Sequence, residues 1–140
     1  MLSGRGRLVF PLDYPGVGAA RAGARAVAPS VGVLKVGLEL FVRDGPLAVA
    51  LGAELGLDVF LDLKLHDIPQ TVEQAVTAAV SLGVRYLTVH AAGGPRMLER
   101  AASAAARAPA PLTILAVTVL TSLDAGDLAA TGVAASPGAQ

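Results

Sequence analysis

The sequence predicts an α/β fold built on a parallel sheet, and three observations carry that reading. Short apolar runs alternate with helix-compatible stretches along the chain. The runs are nearly continuous rather than alternating, the pattern of strands in a parallel sheet covered on both faces. Polar or charged residues recur where the runs end, at Asp13, Lys35, Lys64, His90 and Thr118. In a (β/α)8 barrel, functional groups gather at the carboxyl ends of several strands. A doubly wound sheet is the competing architecture, but no Gly-x-Gly-x-x-Gly follows the first run. The expected fold is therefore a (β/α)8 TIM barrel. The chain has 140 residues, whereas such a barrel takes roughly 200 or more. It reads as the N-terminal part of one barrel domain, 1–140, supplying about the first five βα units, with 133–140 as a loose tail.

Each element has its own justification. Residues 8–12 form a short apolar run closed by Asp13 and the Pro15-Gly16 turn, and an Ala/Arg helix follows over 17–27. The Val-rich run 31–37 is the second strand. Asp44 is placed to cap a second helix, with Pro46 in its first turn, running to about Leu55 and stopped by Gly56. The third strand spans 59–64, and a third helix runs from Asp67 to about Leu82, closed by Gly83. The fourth strand is 85–90. An Ala-rich helix over 93–107 ends before Pro109 and Pro111. The fifth strand is 112–120, and Ser122 or Asp124 caps a short last helix ending near Gly132.

Composition removes several classes of function. Eleven basic residues balance eleven acidic ones, so nothing favours nucleic acid or an anionic membrane surface. There is no cysteine, which removes disulfide frameworks and thiolate metal sites and fits a cytoplasmic enzyme. The longest apolar stretches, 46–53 and 114–120, fall short of the roughly 18 residues needed to span a bilayer. The first seven residues lack the apolar core and cleavage site of a signal peptide.

The most informative segment is Asp62-Leu63-Lys64-Leu65-His66-Asp67-Ile68-Pro69-Gln70-Thr71. On a strand, side chains two apart share a face, so Asp62 and Lys64 are expected together at the strand's carboxyl end. Asp67 and Thr71 follow at the turn into the helix. Charged groups gathered at the end of a buried strand are costly to desolvate. A plain structural reading is available: an Asp62-Lys64 ion pair and Asp67 as a helix cap. His66 reads as structural, His90 as a packing or hydrogen-bonding residue, and Gly93-Gly94 as a turn rather than a phosphate cradle.

The whole string closely resembles the signature of the orotidine 5'-phosphate decarboxylase family, Asp-x-Lys-x-x-Asp-Ile-Pro-x-Thr. The resemblance extends to Phe10-Pro11-Leu12-Asp13, Leu34-Lys35-Val36-Gly37, Val89-His90-Ala91-Ala92-Gly93-Gly94 and Val117-Thr118-Val119-Leu120-Thr121-Ser122. It implies removal of the C6 carboxylate of orotidine 5'-phosphate to give UMP and carbon dioxide, with no metal and no organic cofactor. By the same resemblance, Lys64, Asp62, Asp67 and Lys35 are catalytic. Asp13 and Lys35 would contact the ribose, Ile68 would line the apolar pocket, and Thr121 or Ser122 would meet the pyrimidine. Asp67 and Thr71 would reach across a homodimer into the partner's site. Two alternatives stay open. One is a sugar-phosphate decarboxylase or aldolase-like relative, sharing Asp-x-Lys-x-x-Asp and using a divalent metal near Glu39; the Ile68-Pro69-x-Thr71 tail argues against it. The other is a non-catalytic half-barrel that only dimerises.

Overall fold

The computed structural model describes residues 4–139; Met1, Leu2, Ser3 and Gln140 lie outside the described residues. Five parallel strands, β1 (Val9–Pro11), β2 (Val33–Gly37), β3 (Asp58–Leu65), β4 (Tyr86–His90) and β5 (Thr113–Val117), stand side by side in sequence order. That order separates the two architectures left by the sequence. A doubly wound sheet reverses direction at a switch point, whereas strands that add on one side in turn trace the arc of a barrel.

Helices fill the crossovers: α1 (Val17–Val27), α2 (Leu38–Asp44), α3 (Pro46–Leu55), α4 (Pro69–Ser81) and α5 (Pro95–Ala106), with a short α6 (Ala125–Ala130) after β5. Cross-strand register puts Leu34 beside Val59, and Leu61 beside Leu87 and then Ile114. These residues join Ala24, Leu51, Val76 and Met97 of the helices in one apolar cluster. Leu34, Leu61 and Leu87 are at most 1% exposed, and each such side chain contributes about 1.5–3 kcal/mol through burial. The opposite face carries Lys35, Phe60, Tyr86 and Thr88, and there Leu115 is 38% exposed. The expectation of a sheet covered on both faces therefore holds on the helix side only. The other face is the inner wall of the arc.

Several boundaries differ from the sequence reading, each for a local reason. One helix was expected between the second and third strands, and there are two. Gly45, at φ 54°, breaks the segment, and Pro46 starts α3 without a donor to satisfy. Asp44 does not cap α3; it is the last residue of α2, and its Oδ2 accepts a 2.8 Å hydrogen bond from the Val17 amide. It thus caps α1 from a neighbouring element. Asp67 does not open α4. Ile68 precedes a proline and stays extended at ψ 150°, so the helix begins at Pro69. Of the two candidate caps for α6, Asp124 fills the role, in a reciprocal pair with Asp127. β5 stops at Val117 instead of Leu120. Two arginines of the α5 region, Arg100 and Arg107, bond both carboxylate oxygens of Glu73 at 2.9 and 2.8 Å, tying α4 to it. No helix among the described residues is long and apolar enough to cross a membrane.

Candidate active site

The carboxyl ends of the strands surround a cleft of about 440 Å3 lined by Asp13, Lys35, Glu39, Asp62, Lys64 and His90, with Leu120 at one side. β1 leads through the buried Leu12, just past its end, to Asp13. β2 delivers Lys35 from between Leu34 and Val36, both fully buried. The Lys35 Nζ lies 3.3 Å from Asp13 Oδ1. Gly37 keeps this corner open, since a Cβ there would stand 3.3 Å from the Lys35 ammonium.

The Asp62-Lys64 pair is together, as expected, with Lys64 Nζ 2.8 Å from Asp62 Oδ1. Simple strand alternation is not the reason. Leu61 pairs with Leu87 and Leu65 with Val89, so four steps along β3 match two along β4. Asp62, Leu63 and Lys64 bulge out opposite Thr88 alone. Lys64 takes φ 51°, the left-handed region and the one positive φ of a non-glycine among the described residues. Such a conformation costs an L-residue roughly 1–2 kcal/mol. Bulges re-aim side chains, and strain of this kind collects at functional sites.

Sequence reasoning missed Thr88. It is 3% exposed, and its hydroxyl receives the Lys64 amide at 2.9 Å and donates to Asp62 Oδ1 at 2.9 Å. Within a strand reading Tyr86-Leu87-Thr88-Val89-His90, a threonine looks like ordinary β-former. Only the bulge opposite makes its hydroxyl necessary.

Charges in the cleft are tuned by these contacts. Burial works against the ionised form of Asp62. Hydrogen bonds from Lys64 and Thr88 and the charges of Lys64 and Lys35 outweigh it, holding the carboxyl below its ordinary value. Burial, then the neighbouring His66 and the Lys64 charge, pushes His90 below the usual imidazole value. The His66 and His90 rings lie 5.4 Å apart, centroid to centroid.

The remaining sequence candidates stand elsewhere. Asp67 and Ile68 line a separate shallow cleft with His66, Pro69, Ala92 and Gly93. Asp67 Oδ1 accepts from the Ile68 amide at 2.6 Å, and Ile68 is 65% exposed. Thr71 is exposed in the first turn of α4. Thr121 is exposed on the turn after β5; Leu120, not Thr121, lines the cleft. Glu39 lines the cleft from the first turn of α2, yet no group of three or more His, Asp or Glu residues among those described could hold a metal ion.

Sequential parallel strands, with two Asp-Lys pairs at their carboxyl ends, define a protein of the (β/α)8-barrel class. Comparison with known proteins is specific. A model of the "Orotidine 5'-phosphate decarboxylase / HUMPS family" matches residues 6–137, and the chain belongs to that family. The orotidine 5'-phosphate decarboxylase of Anaeromyxobacter sp. (strain K) is 57% identical over 94% of this chain and 56% of that protein. Among solved structures, an uncharacterized conserved protein from Geobacillus kaustophilus superposes with a TM-score of 0.81 at 40% identity, covering 86% of this chain and 58% of that one. The orotidine 5'-phosphate decarboxylase of Lactobacillus acidophilus does so with a TM-score of 0.75 at 32% identity, covering 91% of this chain and 58% of that one. The chain thus spans little more than half the length of the relatives it matches.

Proposed function

We propose that the complete barrel to which this chain contributes decarboxylates orotidine 5'-phosphate to UMP and carbon dioxide, as a cytoplasmic step of pyrimidine biosynthesis. The single observation that carries this reading is the Lys64 ammonium held 2.8 Å from Asp62 within the cleft. Heterolysis of the bond from C6 to the carboxylate releases carbon dioxide and leaves the electron pair on C6, with little resonance relief. A fixed cation beside C6 stabilises that pair. Lys64 then delivers a proton to C6 and is reprotonated from solvent. An ammonium suits both tasks, whereas a guanidinium does not readily release its proton. Asp62 aims the Lys64 ammonium through their 2.8 Å contact, and it crowds the departing carboxylate.

In this reading Lys35 and Asp13 hold the ribose, and Thr121 or Ser122 approaches the pyrimidine. Asp67, Ile68 and Thr71 act across a homodimer: their exposure on the far side of the His66 turn fits residues offered to a partner's site. No metal or organic cofactor takes part. The position of Glu39 on the cleft wall gives the metal-dependent sugar-phosphate alternative its one point of support.

The test joins this chain to the downstream part of the Anaeromyxobacter relative, in frame, and assays the completed barrel with orotidine 5'-phosphate in chelator. Formation of UMP and carbon dioxide is expected. A folded, dimeric protein that leaves orotidine 5'-phosphate untouched would overturn the reading.

A further inference from the structure

We infer that Thr88 is the positioning residue of the site: its hydroxyl fills the β3 bulge and sets the backbone of Lys64 and the carboxylate of Asp62 relative to each other. The role rests on the proposed function in one respect, that the Lys64-Asp62 pair does the chemistry. Its structural basis stands independently of substrate.

A regular parallel ladder would offer the Lys64 amide a carbonyl on β4. The two extra residues between Leu61 and Leu65 disrupt that pairing, and the amide goes to Thr88 Oγ1 instead, at 2.9 Å. The direction of each bond is forced. A backbone amide can only donate, so the hydroxyl oxygen must accept; an ionised carboxylate can only accept, so the hydroxyl proton must go to Asp62 Oδ1. One hydroxyl therefore serves both partners and cannot turn elsewhere while Asp62 is charged. Thr88 is itself held: it is 3% exposed, flanked by fully buried Leu87 and Val89, and paired with Leu115 on β5. A β-branched side chain on a buried strand has few rotamers. Thr88 thus holds the left-handed Lys64 backbone from one side while Asp62 holds the ammonium from the other. The remaining charged groups lining the cleft are Lys35 from β2, Asp13 from β1 and Glu39 from α2, with His90 ending β4.

Three measurements test this. On the 140-residue chain without substrate, Asp62 is titrated by carboxyl 13C NMR in the wild type, Thr88→Val and Thr88→Ser. The midpoint should rise in Thr88→Val, which keeps the shape and removes the donor, and return toward wild type in Thr88→Ser. In the completed barrel, Thr88→Val should lower kcat on the order of tenfold to a hundredfold, the range for losing a hydrogen bond to a charged group. KM should change little, and Thr88→Ser should recover most of the loss. The wild-type Lys64 amide should exchange with solvent far more slowly than an unprotected amide, a measurement that stands even if Thr88→Val does not fold. An unmoved Asp62 midpoint, a Thr88→Ser variant as impaired as Thr88→Val, or an unprotected Lys64 amide would each overturn the inference. If the completed barrel shows no turnover at all, the functional reading fails, and the titration and exchange still decide the role of Thr88.

Discussion

Replacing Lys64 with alanine in the completed barrel should abolish turnover and spare nucleotide binding. The size of the effect follows from the site's wetness. The Lys64 side chain is 36% exposed and that of Asp62 14%, so an effective dielectric near 20 is the appropriate choice rather than a dry-interior value. Two unit charges 4 Å apart then interact by about 4 kcal/mol, which corresponds to a rate factor of roughly a thousand. A cleft closed over substrate would be drier, so that figure is a lower bound. Alanine at φ 51° bears the same backbone strain as lysine, so lost activity would report the missing ammonium; Lys64→Gly, free of that strain, should be equally inactive. The assay follows the absorbance loss of orotidine 5'-phosphate, with UMP binding measured separately by calorimetry. UMP lacks the C6 carboxylate and should bind Lys64→Ala nearly as well as wild type. Turnover within tenfold of wild type in the alanine variant would remove Lys64 from the chemistry.

Dialysis of the completed barrel against a chelator should leave turnover unchanged; a loss restored by magnesium would instead favour the sugar-phosphate alternative near Glu39. Mixing inactive Lys64→Ala and Asp67→Ala subunits should restore activity by rebuilding one intact shared site per heterodimer, and no recovery despite subunit exchange would place Asp67 within its own chain. His66→Gln should raise the titration midpoint of His90, read from its ring proton NMR signals, because His66 is one of the groups holding it down. With the folded value below the ordinary 6.5, the unfolded chain binds more protons in that window, so His90 makes the fold lose stability as pH falls below about 6.5. Leu87→Ala, at a fully buried position of the apolar cluster, should lower stability by about 2–5 kcal/mol in chemical denaturation.

Most of the architecture was legible because it rests on local signals. Gly56, Gly83 and the apolar runs mark helix ends and strands wherever neighbours are near in sequence. The errors arose where a side chain acts at a distance. Asp44 looks like a cap for the helix beginning at Pro46, yet its partner is Val17, 27 positions away. The two-helix crossover was missed because the expected helix starts at Asp44 and leaves residues 38–43 without an element, and the turn at Gly45 depends on a positive φ that many glycines never use. Asp13, Lys35, Asp62 and Lys64 were placed in one cleft by the rule that strand ends carry function. Thr88 escaped because the bulge that needs its hydroxyl is a property of two strands in register, and no single strand displays it.

The ten-residue string divides into two parts that the fold sends in different directions. Asp62 and Lys64 face the cleft because the bulge turns Lys64 back toward Asp62. After Leu65 only three residues remain before Pro69 begins α4, too few for the chain to re-enter the same cleft and still start the helix on the outer layer. Proline at that position also forbids helical geometry at Ile68, which extends the turn outward. Asp67, Ile68 and Thr71 consequently stand exposed, with a 65% exposed isoleucine between two polar residues. A single chain gains nothing from holding that side chain in water. Under the proposed shared site, contact with a second subunit would bury it and bring the adjacent carboxylate to a neighbouring cleft.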